Sequence, residues 1–168
     1  YLYTQFEPND AHRAWPCIDQ PDVKPEWTFH VIAPAGWVVS SNGMETGVEA
    51  VDERGALRHD FTPTRPLSSY ITAIVAGPWA VIEGGTWSGG ASDGGHAELA
   101  LRLLCRRTLA RYLDSDDVFE VTRAGLDFYH AHYGVTFPWG SYDQVYVPEY
   151  NLGAMENPGC ITFNENYI

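Results

Sequence analysis

Basic residues are scarce in this chain: ten lysines and arginines stand against 22 aspartates and glutamates among 168 residues, a formal charge of −12. So few cations exclude electrostatic binding of nucleic acid, which depends on lysine and arginine neutralising phosphates. Cysteine is scarce too. Cys17, Cys105 and Cys160 are odd in number and widely spaced, and no Cys-x-x-Cys pair begins a zinc knuckle or redox motif. A reducing, cytoplasmic location is the expectation. Long apolar runs are missing: the longest, 71–82, is broken by Gly77 and Pro78 and falls well short of the roughly 20 residues that cross a bilayer. No membrane partner is expected. The opening Tyr1-Leu2-Tyr3-Thr4 lacks an initiator Met, a basic n-region and an apolar h-region, so no secretory signal is read, and the sequence is expected to be a piece of a longer one.

What is present suffices for a core, with 45% hydrophobic and 14% aromatic residues. Trp27, Phe29 and Val31 alternate over 27–32, a strand broken by Pro34-Ala35-Gly36. A second strand, 37–41, ends at Asn42-Gly43, a pair suited to a tight hairpin turn. Leu57, His59 and Phe61 alternate in a third. The continuous run 70–76 reads as a strand buried on both faces, and 79–83 as another after Gly77-Pro78. The segment 84–95, half of it glycine, reads as a mobile hairpin loop, and 97–107 as a strand on the alternation of Leu99, Leu101, Leu103 and Cys105.

The character then changes. Ser115-Asp116-Asp117 supplies N-cap candidates and first-turn negative charge, and Val121, Ala124, Gly125 and Phe128 recur at helical spacing, which predicts a helix over 116–133 stopped by Gly134. Strands are expected over 142–147, closed by Pro148, and over 161–163. The fold class is therefore mainly β: a sandwich or saddle of sheets over 1–112, expected to be truncated at its start, then the incomplete α+β beginning of a second domain over 113–168.

No metal ligand set emerges. His130 and His132 lie two apart on a helix and face different directions, and His12, His30, His59 and His96 have no partner at ligand spacing. Asp114, Asp116 and Asp117 lack the glycine and closing glutamate of a calcium loop and read as helix-capping charge.

Two stretches carry the informative chemistry: Thr4-Gln5-Phe6-Glu7, followed by Ala11, Arg13, Trp15-Pro16-Cys17, Asp19 and Pro21, and then Gly153-Ala154-Met155-Glu156-Asn157-Pro158-Gly159. By its residues alone, the second is a turn-rich loop in which a glycine admits another backbone beside an acidic side chain, equally consistent with a structural role. Gly153 to Asn157, however, spells GAMEN and resembles the exopeptidase motif of the aminopeptidase N family of zinc peptidases. The first stretch resembles that family's N-terminal-domain signature, TQFE followed by FPCxDEP, with Trp15 and Gln20 replacing the usual phenylalanine and glutamate.

The resemblance implies a thermolysin-like catalytic domain after the β domain and peptides with a free N-terminus as substrates. It implies that Glu156 binds the substrate α-amine with help from Glu7, and that Gln5 lines the same pocket. Gly153 and Ala154 would hydrogen-bond the peptide backbone as an added strand, Leu152 would floor the first side-chain pocket, and Met155 and Asn157 complete the substrate-binding stretch. A peptide amine titrates at about 8, so near neutral pH it is a cation that seeks carboxylates. Zinc is implied for the parent protein, but its H-E-x-x-H helix occurs nowhere in this sequence, so no catalytic residue and no bound metal are expected in this chain. Ala154 stands where epoxide-hydrolysing members carry glycine, favouring a plain aminopeptidase. The alternatives are a β-sandwich module stacking a ligand on Trp27, Trp37, Trp79 or Trp87, and a non-catalytic scaffold member of the family. The parent is expected to be a monomer, and the chain by itself to self-associate through an exposed strand edge.

Overall fold

The computed structural model describes residues 1–53, 55–89 and 98–168. Among these residues, eleven strands, β1 (Leu2–Tyr3), β2 (His30–Pro34), β3 (Val38–Ser41), β4 (Glu45–Ala50), β5 (Ala56–Phe61), β6 (Ile74–Gly77), β7 (Ala80–Trp87), β8 (Leu99–Cys105), β9 (Ser141–Val147), β10 (Ala154–Met155) and β11 (Cys160–Asn164), accompany one long helix, α1 (Ser115–Tyr133). The protein is mainly β, as the alternating runs imply.

The strands form three open sheets, ordered β2-β5-β4, β1-β6-β3 and β10-β11-β9-β8-β7. Phe29, Ala33 and Phe61 of the first sheet and its approach pack against Val39 and Ala76 of the second, flanked by half-buried Trp15, Trp27 and Trp37. The second sheet's other face sets Val75, with Ala73 and Trp79, against Leu104, Val145, Val147 and Met155 of the third. That third sheet turns Leu99, Leu101, Leu103 and Tyr146 toward Phe119 of α1. The middle sheet is thus buried on both sides, which is why 70–76 reads as apolar throughout; its first residues form a 3-10 turn at Ser69–Ile71 before β6 begins. Trp79 and Trp87 lie in these cores rather than on the surface.

Several expectations need correction. Asn42-Gly43 does not close a hairpin, because β3 pairs with β6 while β4 pairs with β5. It is a corner between sheets, and glycine is required there because a Cβ on Gly43 would run into the Thr62 carbonyl. Gly84 and Gly85 are not loop but part of β7, whose pairing with β8 shifts register between Glu83 and Thr86. Gly84 leaves the space that the Phe119 ring fills, and its carbonyl accepts from Arg123. The remainder of the expected hairpin loop, from residue 90, lies outside the described residues.

Helix α1 lies where its local signals predict, with its inward face rotated from the expected one. Asp114, rather than the three residues after it, is the N-cap, accepting from Asp117 N at 3.3 Å, and Gly134 ends the helix in the left-handed region at φ 67°. The buried stripe is Val118, Phe119 and Leu126, whereas Val121 and Phe128 are exposed. The sheet offers a seat at Gly84, and Phe119 is the residue that meets it. The third sheet also straddles residue 112: β7 and β8 precede it, β9, β10 and β11 follow, and β8 pairs with β9 in parallel across the α1 connection. Such pairing is non-local and leaves no mark on local composition.

Candidate functional site

At the end of β9 the chain turns sharply through Pro148 and Glu149, the latter held in the left-handed region at φ 52°. Tyr150 follows and drops into the core, 6% exposed, its ring edge-on to Tyr3 at 5.6 Å. Its hydroxyl lies 3.1 Å from Gln5 Oε1 and 2.8 Å from Thr162 Oγ1. Gln5 Nε2 donates to the Met155 sulfur at 3.8 Å. The N-terminal segment and the GAMEN strand, at opposite ends of the sequence, therefore meet through Gln5, Tyr150 and Met155.

The two glutamates are exposed. Burial pushes the Tyr150 phenol above its ordinary value of 10.0, the Thr162 hydrogen bond pulls the other way, and Tyr3, Glu156 and Glu7 push it further up.

Strand β10 is the free edge of the third sheet. Asn164 N donates to Gly153 O at 2.8 Å, which makes Gly153 and Asn164 a hydrogen-bonded pair in the antiparallel ladder. Such pairs alternate, so Ala154, opposite Phe163, is a non-hydrogen-bonded position whose N–H and C=O face the open edge. Ala154 can accept an added strand; the Gly153 carbonyl, already engaged by Asn164, cannot do so in the same way. Gly153 has a different constraint, since a Cβ there would stand 2.7 Å from the Tyr167 hydroxyl.

The other residues of the stretch divide. Leu152 is half-buried against the core beside Met155, consistent with a pocket floor. Met155, 1% exposed, and Asn157, 2% exposed, the residues that complete the expected substrate-binding stretch, have their side chains turned inward. Met155 fills the core between sheets, and Asn157 donates to Thr162 Oγ1 at 3.3 Å while its carbonyl accepts from Cys160 N at 3.0 Å. Tyr150 and Thr162 escaped the sequence reading, for their importance lies in partners far along the chain.

The described residues hold no group of three or more His, Cys, Asp or Glu side chains arranged for a metal ion, so they do not fit a zinc site and no step runs through one. All three thiols are raised by burial, Cys160 to about 12. No described helix is long and apolar enough to cross a membrane.

Residues 1–71 match the Peptidase M1 N-terminal domain and residues 118–168 the Peptidase family M1 domain. Over 168 residues the chain is 40% identical to aminopeptidase N of Streptomyces lividans, covering all of this chain and 18% of that protein. It is 31% identical to aminopeptidase N of Haemonchus contortus and 28% to that of Homo sapiens, in each case over 98% of this chain and 16% of the relative. It thus spans less than a fifth of the proteins it resembles. With the family's N-terminal domain matched at one end and its peptidase domain at the other, the chain belongs to peptidase family M1.

Proposed function

We propose that this chain is the part of an aminopeptidase that recognises the free amine and the first backbone groups of a peptide whose N-terminal residue is removed. The observation that supports this most is the contact of Gln5 with Tyr150 and Met155, which brings the segment carrying Glu7 against the strand that leads into Glu156. An ammonium group is the natural occupant between them. The outward N–H and C=O of Ala154 supply a place for the peptide backbone along the edge of β10. Zinc belongs to the proposal only for the parent protein, where it would polarise the scissile carbonyl. This chain's own residues bind and orient, and by itself it is proposed to be inactive and to take up no zinc tightly. A reducing, cytoplasmic setting is proposed as well, supported by the three unpaired cysteines.

The test is a double comparison in the full-length enzyme: a leucyl anilide and its N-acetylated counterpart, each on wild type and on Glu156→Gln. The substitution should lower kcat/KM for the free-amine substrate and narrow the penalty for acetylation. An equal loss on both substrates would make Glu156 a structural residue.

A further inference from the structure

Independently of the amine-binding reading, we propose that the cavity between the C-terminal half of α1, the turn after it and the start of β9 is a binding site for one small neutral aromatic molecule bearing a hydroxyl, a phenol in chemical class. Its volume is about 310 Å³, and the rings of Tyr129, Phe137 and Tyr142 line it. An apolar cavity of about 150 Å³ takes a benzene molecule, so a substituted ring fits here. Phe137 and Tyr142 meet edge-on, 5.1 Å apart at 68°, an arrangement to which a further ring adds favourably. No Lys, Arg, Asp or Glu lines the cavity, and an ion entering it would lose water without gaining a counter-charge. The ligand is therefore neutral.

The polar groups of the lining select the substituent. Tyr142 makes no side-chain hydrogen bond with any described residue, and burial raises its phenol above the ordinary 10.0, so it keeps a proton to donate. His130 Nδ1 and Thr136 Oγ1, 3.4 Å apart, add acceptor atoms to the same lining. A hydroxyl can accept from Tyr142 and donate to that pair, whereas a plain hydrocarbon answers neither. The site is separate from the substrate stretch: Tyr142 stands at the start of β9, and the chain reaches Tyr150 only beyond the strand's end.

The experiment titrates the full-length enzyme with p-cresol and with toluene, the same ring without the hydroxyl, followed by ligand-observed NMR. p-Cresol should saturate with a Kd of about 1 mM or tighter, and toluene should bind about three- to tenfold more weakly. Tyr142→Phe keeps the ring; it should weaken p-cresol by about the same factor and leave toluene within about twofold. Val135, 57% exposed, stands at the mouth of the cavity, and Val135→Trp should fill it and abolish binding of both molecules. That exposed position also decides the matter should Tyr142→Phe fail to fold. Equal affinity for p-cresol and toluene would make the cavity an unselective apolar hole, and binding that survives Val135→Trp would place the ring elsewhere. Either result, or no saturation by p-cresol at about 10 mM, overturns the inference. Glu156→Gln, which bears only on the amine-binding reading, should leave both affinities unchanged; a loss of p-cresol binding there would put the ring in the substrate site and overturn the inference as well.

Discussion

Asn42 Nδ2 donates to the carbonyl of Pro158 at 2.9 Å, tying the corner after β3 to the loop just beyond Glu156. The same amide donates to Ile71 O at 3.0 Å, and its oxygen accepts from Ala73 N at 2.7 Å. One buried side chain thus serves three backbone groups, two in the middle sheet's approach and one in the loop after Glu156. Asn42→Ala would leave all three unsatisfied, at a cost of about 2 to 4 kcal/mol. The check is a lower urea midpoint with an unchanged slope. A change below about 0.5 kcal/mol would mean that water replaces the amide.

Asp19 makes a second such tie, and this one depends on pH. Burial alone would raise its carboxyl, but the Ser69 hydroxyl at 2.5 Å and the His12 ring and backbone N–H outweigh burial and hold it below the ordinary 3.8. A lowered folded-state pKa stabilises the protein above that ordinary value, and the benefit disappears as pH falls through the lower folded one. Asp19→Asn should therefore be less stable than wild type near neutral pH, with the gap closing in acid at about pH 4 and below. Denaturation midpoints taken at a series of pH values measure it. A constant gap would show that the ionised carboxylate is not what matters.

The two glycines that bracket the stretch 153–159 should respond differently to a methyl group. Gly159 sits at φ 79°, and a Cβ there would lie 2.9 Å from the Asn42 carbonyl oxygen, so Gly159→Ala meets both backbone strain and an immovable neighbour. A loss of about 1 to 3 kcal/mol is expected. Gly153 meets only the tip of Tyr167, a side chain 66% exposed that can swing away. Gly153→Ala should cost less than about 1 kcal/mol. Equal melting temperatures for the two variants would refute the distinction.

The helix was legible because its signals are local: a cluster of acidic residues at its start, Gly134 for the stop, apolar residues between, although the cap itself is Asp114 and not one of the three residues after it. The strands with clean alternation or long apolar runs were legible for the same reason, but not their bounds: β2 begins only at His30 and runs through Pro34, expected to break it, and β6 begins only at Ile74. Strand β4 was not, since its residues are nearly all exposed and few are apolar. Nor was the partition into sheets, because Asn42-Gly43 looks like a turn whichever strands it joins, and the decision rests with Thr62 and β6, far along the sequence. In the site, the motif named the segment but not the direction of its side chains. A strand of two residues must turn one side chain inward, and Met155 is the inward one. Tyr150 carried no local signal at all. Its hydroxyl acquires a role only when Gln5, 145 positions away, is brought beside it.

That convergence makes the sharpest prediction one of non-additivity between Glu7 and Glu156. A carboxylate about 4 Å from an ammonium is worth roughly 4 kcal/mol at an effective dielectric of about 20, before desolvation is subtracted. Glu156→Gln should accordingly cost on the order of 2 to 4 kcal/mol in kcat/KM for free-amine substrates, roughly 30- to 1000-fold, with Glu7→Gln similar or smaller. If both carboxylates hold one cation, removing the first lets the ammonium settle on the second or drift from both. The double variant then departs from the sum of the single losses by about 0.5 to 3 kcal/mol. Losses that add would mean that the two glutamates act on different parts of the substrate, and the shared-ammonium arrangement would be wrong even if each were important by itself.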